Sequence, residues 1–227
     1  MQSNFLGWRG YFDLINSVDL FFLYDDVQYT RRDWRNRNRI KTDQGLKWLT
    51  VPCHKAPFHA LCTEIMIDYS TDWITNHLKM FRAHYSNSLF YEKTYDLIAR
   101  VYLERYDRLV DLNEDLIRQI CDVLGIETDI LKTSQLTIPG AKTDRLLNAI
   151  KLGGGTDYLS GPAAKDYIEV VKFIDAGIGL SYMTTDYSEY PQLHGSYEKY
   201  ASIIDLLFNC WGASRFLINQ SPNERVI

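Results

Sequence analysis

Apolar and polar positions along the chain fall into short blocks whose period changes from one to the next. Over residues 8–17, Trp8, Tyr11, Phe12, Leu14 and Ile15 recur at helical spacing behind Gly7. Leu20-Phe21-Phe22-Leu23-Tyr24 is then an unbroken apolar run closed by Asp25-Asp26, the pattern of a strand covered on both faces. Residues 35–41 and 46–52 flank Asp43-Gln44-Gly45 and predict a hairpin, and residues 62–67 are a further strand candidate. Trp73, His77, Met80, Phe81 and Tyr85 then recur every three or four positions and predict a helix over 72–86. Leu116, Ile117, Ile120 and Val123 predict another over 114–124, ending at Gly125.

Beyond Gly125 the blocks alternate. A strand is expected at 129–133, a helix at 142–152, a strand at Tyr158-Leu159, a helix at 166–176 ending at Gly177, and a strand at 178–183. Strands alternating with helices predict an α/β fold with a mostly parallel layered sheet. Residues 1–227 read as one domain, with 72–125 as a helical insertion or subdomain.

Composition narrows the function classes. In 227 residues, 46% are hydrophobic and 14% aromatic, enough for a sizeable core. A net charge of −4 lacks the broad positive excess of a nucleic-acid scaffold. No run of about 18 apolar residues appears, so no membrane span is expected. The start carries no basic, apolar, small-residue leader pattern. The four cysteines are too scattered for a disulfide framework, and a reducing cytoplasm is the expected compartment.

The densest polar stretch, residues 25–41, begins at the carboxyl end of the predicted buried strand, where open α/β sheets bind ligands. Arg35 and Arg37, with Gln28, Tyr29, Asn36 and Asn38, suit a phosphate or carboxylate. Asp25 and Asp26 are candidates for holding a divalent cation or a sugar hydroxyl. Arg35, Arg37 and Arg39 also alternate as the solvated face of a strand does. A second cluster, Ser160-Gly161-Pro162 with Lys165, reads as an anion site at a helix start or as an ordinary cap. In a third, Gln192-Leu193-His194, the histidine is the best general base in the chain. A Cys210/His194/Asp205 nucleophilic set is conceivable, against the reading of Cys210 as a small buried hydrophobe. Cys53, His54, His59 and Cys62 fit no standard zinc spacing.

Several of these words together resemble the WbqC-like family of bacterial proteins found with cell-surface polysaccharide genes. The resemblance lies in the opening Gln2…Gly10-Tyr11-Phe12, in Tyr24-Asp25-Asp26-Val27-Gln28-Tyr29 followed by Trp34-Arg35-Asn36-Arg37-Asn38, and in residues 158–167, 190–195 and 202–210. Two departures stand out. A proline usual near Leu6-Gly7 is absent, and a short strand usually precedes the opening glutamine, so a truncated start is expected. The resemblance implies O-antigen-like glycan assembly and invites comparison with HUP-type nucleotide-binding folds. Trp8-Arg9-Gly10-Tyr11 lacks the paired histidines of that group, which argues against adenylyl transfer.

The leading expectation is a transferase moving an acyl or aminoacyl group onto a nucleotide-linked amino sugar. Arg35, Arg37 and Lys165 would hold phosphate, Asp25, Asp26 and Gln28 would orient sugar or metal, and His194 would act as base. Nucleotidyl transfer or ATP-dependent activation, and a non-catalytic subunit presenting a glycan precursor, are the alternatives.

Overall fold

In the computed structural model, which describes residues 1–218 and 223–227, α1 (Arg9–Asn16) leads into β1 (Leu20–Leu23). The hairpin follows as β2 (Arg37–Thr42) and β3 (Gly45–Thr50). Three successive helices, α2 (Trp73–Tyr85), α3 (Tyr91–Leu103) and α4 (Leu109–Leu124), occupy the expected insertion. Alternation then resumes with β4 (Asp129–Lys132), α5 (Lys142–Leu152), β5 (Asp157–Ser160), α6 (Val170–Ala176) and β6 (Gly179–Met183). Helices α7 (Ile203–Cys210) and α8 (Ser214–Ile218) and strand β7 (Asn223–Arg225) follow. Helices α4 and α6 end where the glycines require it. Gly125 and Gly177 sit at φ 67° and 65°, a left-handed conformation that costs glycine little.

Two expectations are corrected. Residues 62–67 do not form a strand; Cys62–Glu64 is a 3-10 turn. Its amides are drawn onto the loop after β1, with Cys62 donating to the Val27 carbonyl and Thr63 to that of Asp25. Nor is there one mostly parallel sheet. Among the described residues, β1 pairs only with β4, in parallel, β2 with β3, antiparallel, and β5 lies parallel to β6, which has β7 antiparallel on its other edge. The fold is mixed α/β with small sheets. What separates β1 from β5 is a cleft of about 460 Å³.

The larger core joins both halves of this arrangement. Phe21 and Leu23 of β1 share it with Phe81 and Tyr85 of α2, Leu116 and Ile120 of α4, and Phe208 of α7. Tyr85 and Phe208 stack with ring centroids 4.4 Å apart. Each such side chain contributes roughly 1.5–3 kcal/mol by leaving water, so α2–α4 are pinned to the sheet by burial. A smaller core around Leu147, Ile150, Phe173 and Leu180 packs α5 and α6 against β6.

Candidate functional site

Strand β2 alternates Arg37, Arg39 and Lys41 on one face with Asn38, Ile40 and Thr42 on the other. The inward face is fixed by Ile40 in the core and by Asn38, whose amide donates to the Leu6 carbonyl at 2.8 Å. The outward face carries the cations. Arg39 stands opposite Trp48 in the ladder, and Arg37 lies diagonally from it. The Arg37 guanidinium is 4.2 Å from the Trp48 ring centroid, and that of Arg39 lies 5.4 Å from Trp48 and 5.6 Å from Trp34. Both indoles are exposed, Trp34 at 39% and Trp48 at 42%, with their centroids 5.5 Å apart. The Nε atoms of Arg37 and Arg39 are buried without a hydrogen-bond partner among the described residues, and Arg37 Nη2 donates to the Arg32 carbonyl at 2.6 Å. Flat cations over open indoles make a platform for a ring and for anionic oxygens.

At the far end of this face Lys41 is buried, and its ammonium donates to the Gly195 carbonyl at 3.3 Å. That contact brings the loop bearing His194 to the end of the β2 row. His194 itself adopts φ 65°, uncommon for a residue with a side chain. Its Nε2 lies 2.6 Å from the His84 carbonyl at the end of α2. A carbonyl only accepts, so Nε2 carries the proton, leaving Nδ1 of the neutral ring with the free lone pair. A base needs that lone pair.

The loop is fixed from beneath. Arg9 of α1, buried, donates to the Ser188 carbonyl and the Tyr197 hydroxyl and lies 4.4 Å over the Tyr187 ring. Gln192 braces the loop internally, donating to the Tyr190 hydroxyl and accepting from the Glu198 amide. Tyr190 and Tyr85 each donate to Asp205, at 2.8 and 2.7 Å. Burial pushes the Asp205 carboxyl above its ordinary range, while both tyrosines and Lys41 pull it back. The contacts therefore favour the reading of Cys210 as a small buried hydrophobe over a Cys210/His194/Asp205 set. Asp205 is held by tyrosines, His194 by a backbone carbonyl, and burial pushes the Cys210 thiol up, away from the nucleophilic thiolate.

The other candidates lie elsewhere. Asp25, buried at the end of β1, accepts from the Ser134 amide and hydroxyl at 2.8 and 2.6 Å. Asp26 accepts from Thr133 and pairs with Arg145 at 2.5 Å. Burial pushes the Asp26 carboxyl up, but Thr133 and Arg145 together outweigh it, leaving a net downward shift. Gln28 donates to the Phe58 carbonyl, and the Tyr29 amide to that of Ala60. Arg35 donates to the Asn4 side chain and lies 3.6 Å from Asp33, and Asn36 donates to the Val51 carbonyl. Ser160 and Gly161 line the cleft beside β1, and Lys165 pairs with Glu224 at 2.6 Å. The Asp25 network is built on Ser134 and that of His194 on the His84 carbonyl, and the two have no partner in common. Among the described residues no group of three or more candidate ligands gathers for a metal ion. Burial pushes the Cys53 and Cys62 thiols up to about 12 and about 11.

Trp48, Lys41 and Arg9 belong to this arrangement but were not among the sequence candidates. For the first two the signal was present in the alternation of Arg37, Arg39 and Lys41 across a predicted turn from Trp48. Arg9 gave none, because its partners lie near residue 190.

A family model described as the WbqC-like protein family matches residues 2–215. The chain belongs to that family. The WbqC-like match takes in the β2–β3 platform and the His194 loop. An uncharacterized protein of Mycobacterium tuberculosis (strain ATCC 25618 / H37Rv), Rv1507c, is 44% identical over 212 residues, 92% of this chain and 91% of that relative. No solved structure matches the chain. Among the described residues no helix is long and apolar enough to cross a membrane.

Proposed function

We propose that this WbqC-like protein binds a nucleotide-linked amino sugar along β2 and transfers an acyl or aminoacyl group to its amine. The setting would be the cytoplasmic assembly of a bacterial surface glycan. The observation that carries the reading is the placement of Arg37 and Arg39 on the open indoles of Trp48 and Trp34, in a row that ends at Lys41 and the His194 loop. From Arg37 to Lys41 the strand rises about 13 Å, a length suited to a ring, its phosphates and a sugar.

In this arrangement the base or sugar stacks on indole and the guanidinia hold phosphate oxygens. His194 Nδ1 takes the proton from the amine as its nitrogen bonds to the carbonyl carbon of an activated acyl donor. The donor's bond to its leaving group breaks, and the proton passes from His194 to that group. Residues 1–227 act as one unit on this reading, with 72–125 supplying, through α2, the carbonyl that orients His194.

The test is titration of nucleotide amino sugars into the protein and its Arg37→Ala and Trp48→Ala variants, followed by assay of acyl transfer with and without His194. Binding that depends on Arg37 and Trp48, with turnover that depends on His194, supports the reading. Binding without turnover on any acyl donor would instead favour a precursor-presenting subunit. Pyrophosphate release from ATP would favour ATP-dependent activation.

A further inference from the structure

Charge is divided unevenly along this chain. Residues 31–59 contain eight Lys and Arg but only two acids, Asp33 and Asp43, a net of +6. The whole chain carries −4, so the remaining residues carry −10. Both acids of the segment are engaged locally. Asp33 accepts from the Thr30 hydroxyl and the Trp34 amide and lies 3.6 Å from Arg35, while Asp43 lies 3.6 Å from His84. Arg31, Arg32 and Lys55 are exposed, and among the described residues none of them forms an ion pair.

Apolar rings gather in the same stretch. Trp34, Trp48 and Phe58 are the only exposed Trp or Phe side chains among the described residues, and all three fall between 31 and 59. Phe58 is the most open, at 72%. Its ring meets the exposed His59 edge-on, with centroids 5.0 Å apart, and takes no part in the core. The loop beneath it is held by three carbonyls. That of Phe58 accepts from Gln28 at 2.8 Å, that of Ala60 from the Tyr29 amide at 2.9 Å, and that of Ala56 from Arg31. The Arg32 carbonyl accepts from Arg37, which ties the same turn to β2. One exposed ring by itself needs no explanation. A tethered loop that presents phenylalanine beside unpaired cations has the makeup of a membrane-surface contact.

We propose that the Phe58 loop, with Arg31, Arg32 and Lys55, docks this protein on an anionic bilayer surface. Phe58 enters the headgroup layer, and the three cations stay level with the lipid phosphates. The uneven charge favours a flat partner. A bilayer meets one face only and leaves most of the acidic remainder outside the reach of screened charge, about 8 Å in physiological salt. A flexible polyanion such as single-stranded nucleic acid would follow the surface onto repelling acids. None of these side chains belongs to the platform at Arg37 and Trp48, so docking and nucleotide-sugar binding are separable.

The test is flotation of the full chain with vesicles of phosphatidylcholine alone, and of phosphatidylcholine and phosphatidylglycerol in equal parts. The protein should float with the anionic vesicles only, and less as salt rises. Arg32→Asn/Lys55→Gln should weaken vesicle binding by roughly tenfold or more, because two cations leave the surface. Asparagine keeps the left-handed backbone of position 32, at φ 54°. Phe58→Ser should weaken binding by roughly fivefold or more, through the loss of one ring from the interface. Both variants should keep the parent's Tm, so that a lost contact is read apart from a lost fold. No flotation with anionic vesicles at low salt, or equal flotation of the parent and both variants, overturns the proposal. Binding of a single-stranded oligonucleotide that the same variants lose, with no vesicle binding, overturns it too.

Discussion

The Arg37 guanidinium lies 4.2 Å over the ring of Trp48, although the ladder sets Arg37 opposite Thr50 and Trp48 opposite Arg39. The contact is a diagonal one on a single face of the hairpin, so one indole serves two guanidinia. Among the described residues neither arginine forms an ion pair with a carboxylate, and Arg37 donates to the Arg32 carbonyl.

Arg37→Ala and Arg39→Ala should each weaken nucleotide-sugar binding by roughly 1.5–3 kcal/mol, the range for a hydrogen bond to a charged group. Trp48→Ala should lose about 1–3 kcal/mol through stacking. Calorimetric titration should show affinity falling with salt, because the arginines act through phosphate. Undiminished binding in a folded Arg37→Ala/Arg39→Ala double variant would return the stripe to the role of a solvated face.

His194→Asn should keep the loop intact, because asparagine tolerates the left-handed backbone at φ 65°. Turnover should fall by about 10²–10⁴, the usual contribution of general acid–base catalysis, while nucleotide-sugar affinity stays close to that of the parent. A parallel loss of affinity would make His194 a ligand contact rather than the base.

Asp25→Asn should destabilise the fold by roughly 1–3 kcal/mol in a urea titration, because it replaces an oxygen that accepts from the Ser134 hydroxyl with an NH₂. The new amide keeps its oxygen on the Ser134 amide, and the hydroxyl must turn from donating to accepting. A catalytic Asp25 would show the reverse, with full stability and lost turnover.

His77 gives the protein an acid-sensitive step. Its Nε2 accepts from the Thr50 amide at 3.2 Å, so the folded state requires the neutral ring there. Burial holds its pKa down to about 4 against an ordinary 6.5. The unfolded chain therefore binds more protons between these values, and stability is lost as pH falls from about 6.5 to about 4, by roughly 3 kcal/mol in all. Asp13, raised to about 6 chiefly by burial, works in the opposite direction over an overlapping range. Comparison with His77→Gln, whose side-chain oxygen can accept from Thr50, isolates the histidine: chemical denaturation across this window should show a flatter acid limb. Parallel limbs would remove His77 from the account.

Local pattern carried much of the secondary structure. The helix expected over 72–86 appears as Trp73–Tyr85, that over 142–152 as Lys142–Leu152, and the turn at Asp43-Gln44 joins β2 to β3. Each has a periodic apolar face and a local stop. The sheet was less legible, since strand pairing depends on which edges meet, and β1 meets the Met1 backbone where a neighbouring strand was expected. For the candidate site, residue type singled out a stretch but not what each side chain meets. Asn36 and Asn38 look like ligand-binding amides, yet each tethers backbone, at Val51 and Leu6. Asp25 looks catalytic, but its donors lie more than a hundred positions away, where no local pattern reveals them. Arg37, with the neighbouring Arg39, lies against Trp48 on the outward face of the hairpin.

The bond from His194 to His84 ends on a main-chain oxygen, so no side-chain replacement at position 84 can delete it. The imidazole inherits its orientation from the end of a helix, and the His84 ring adds an edge-on contact with centroids 5.9 Å apart. What holds that helix end is Tyr85, whose hydroxyl joins β2 at the Lys41 amide to α7 at Asp205. A survey confined to side chains that touch His194 would pass over Tyr85. Tyr85→Phe, with the ring still packed and one hydroxyl gone, would set the imidazole adrift from a residue it never contacts.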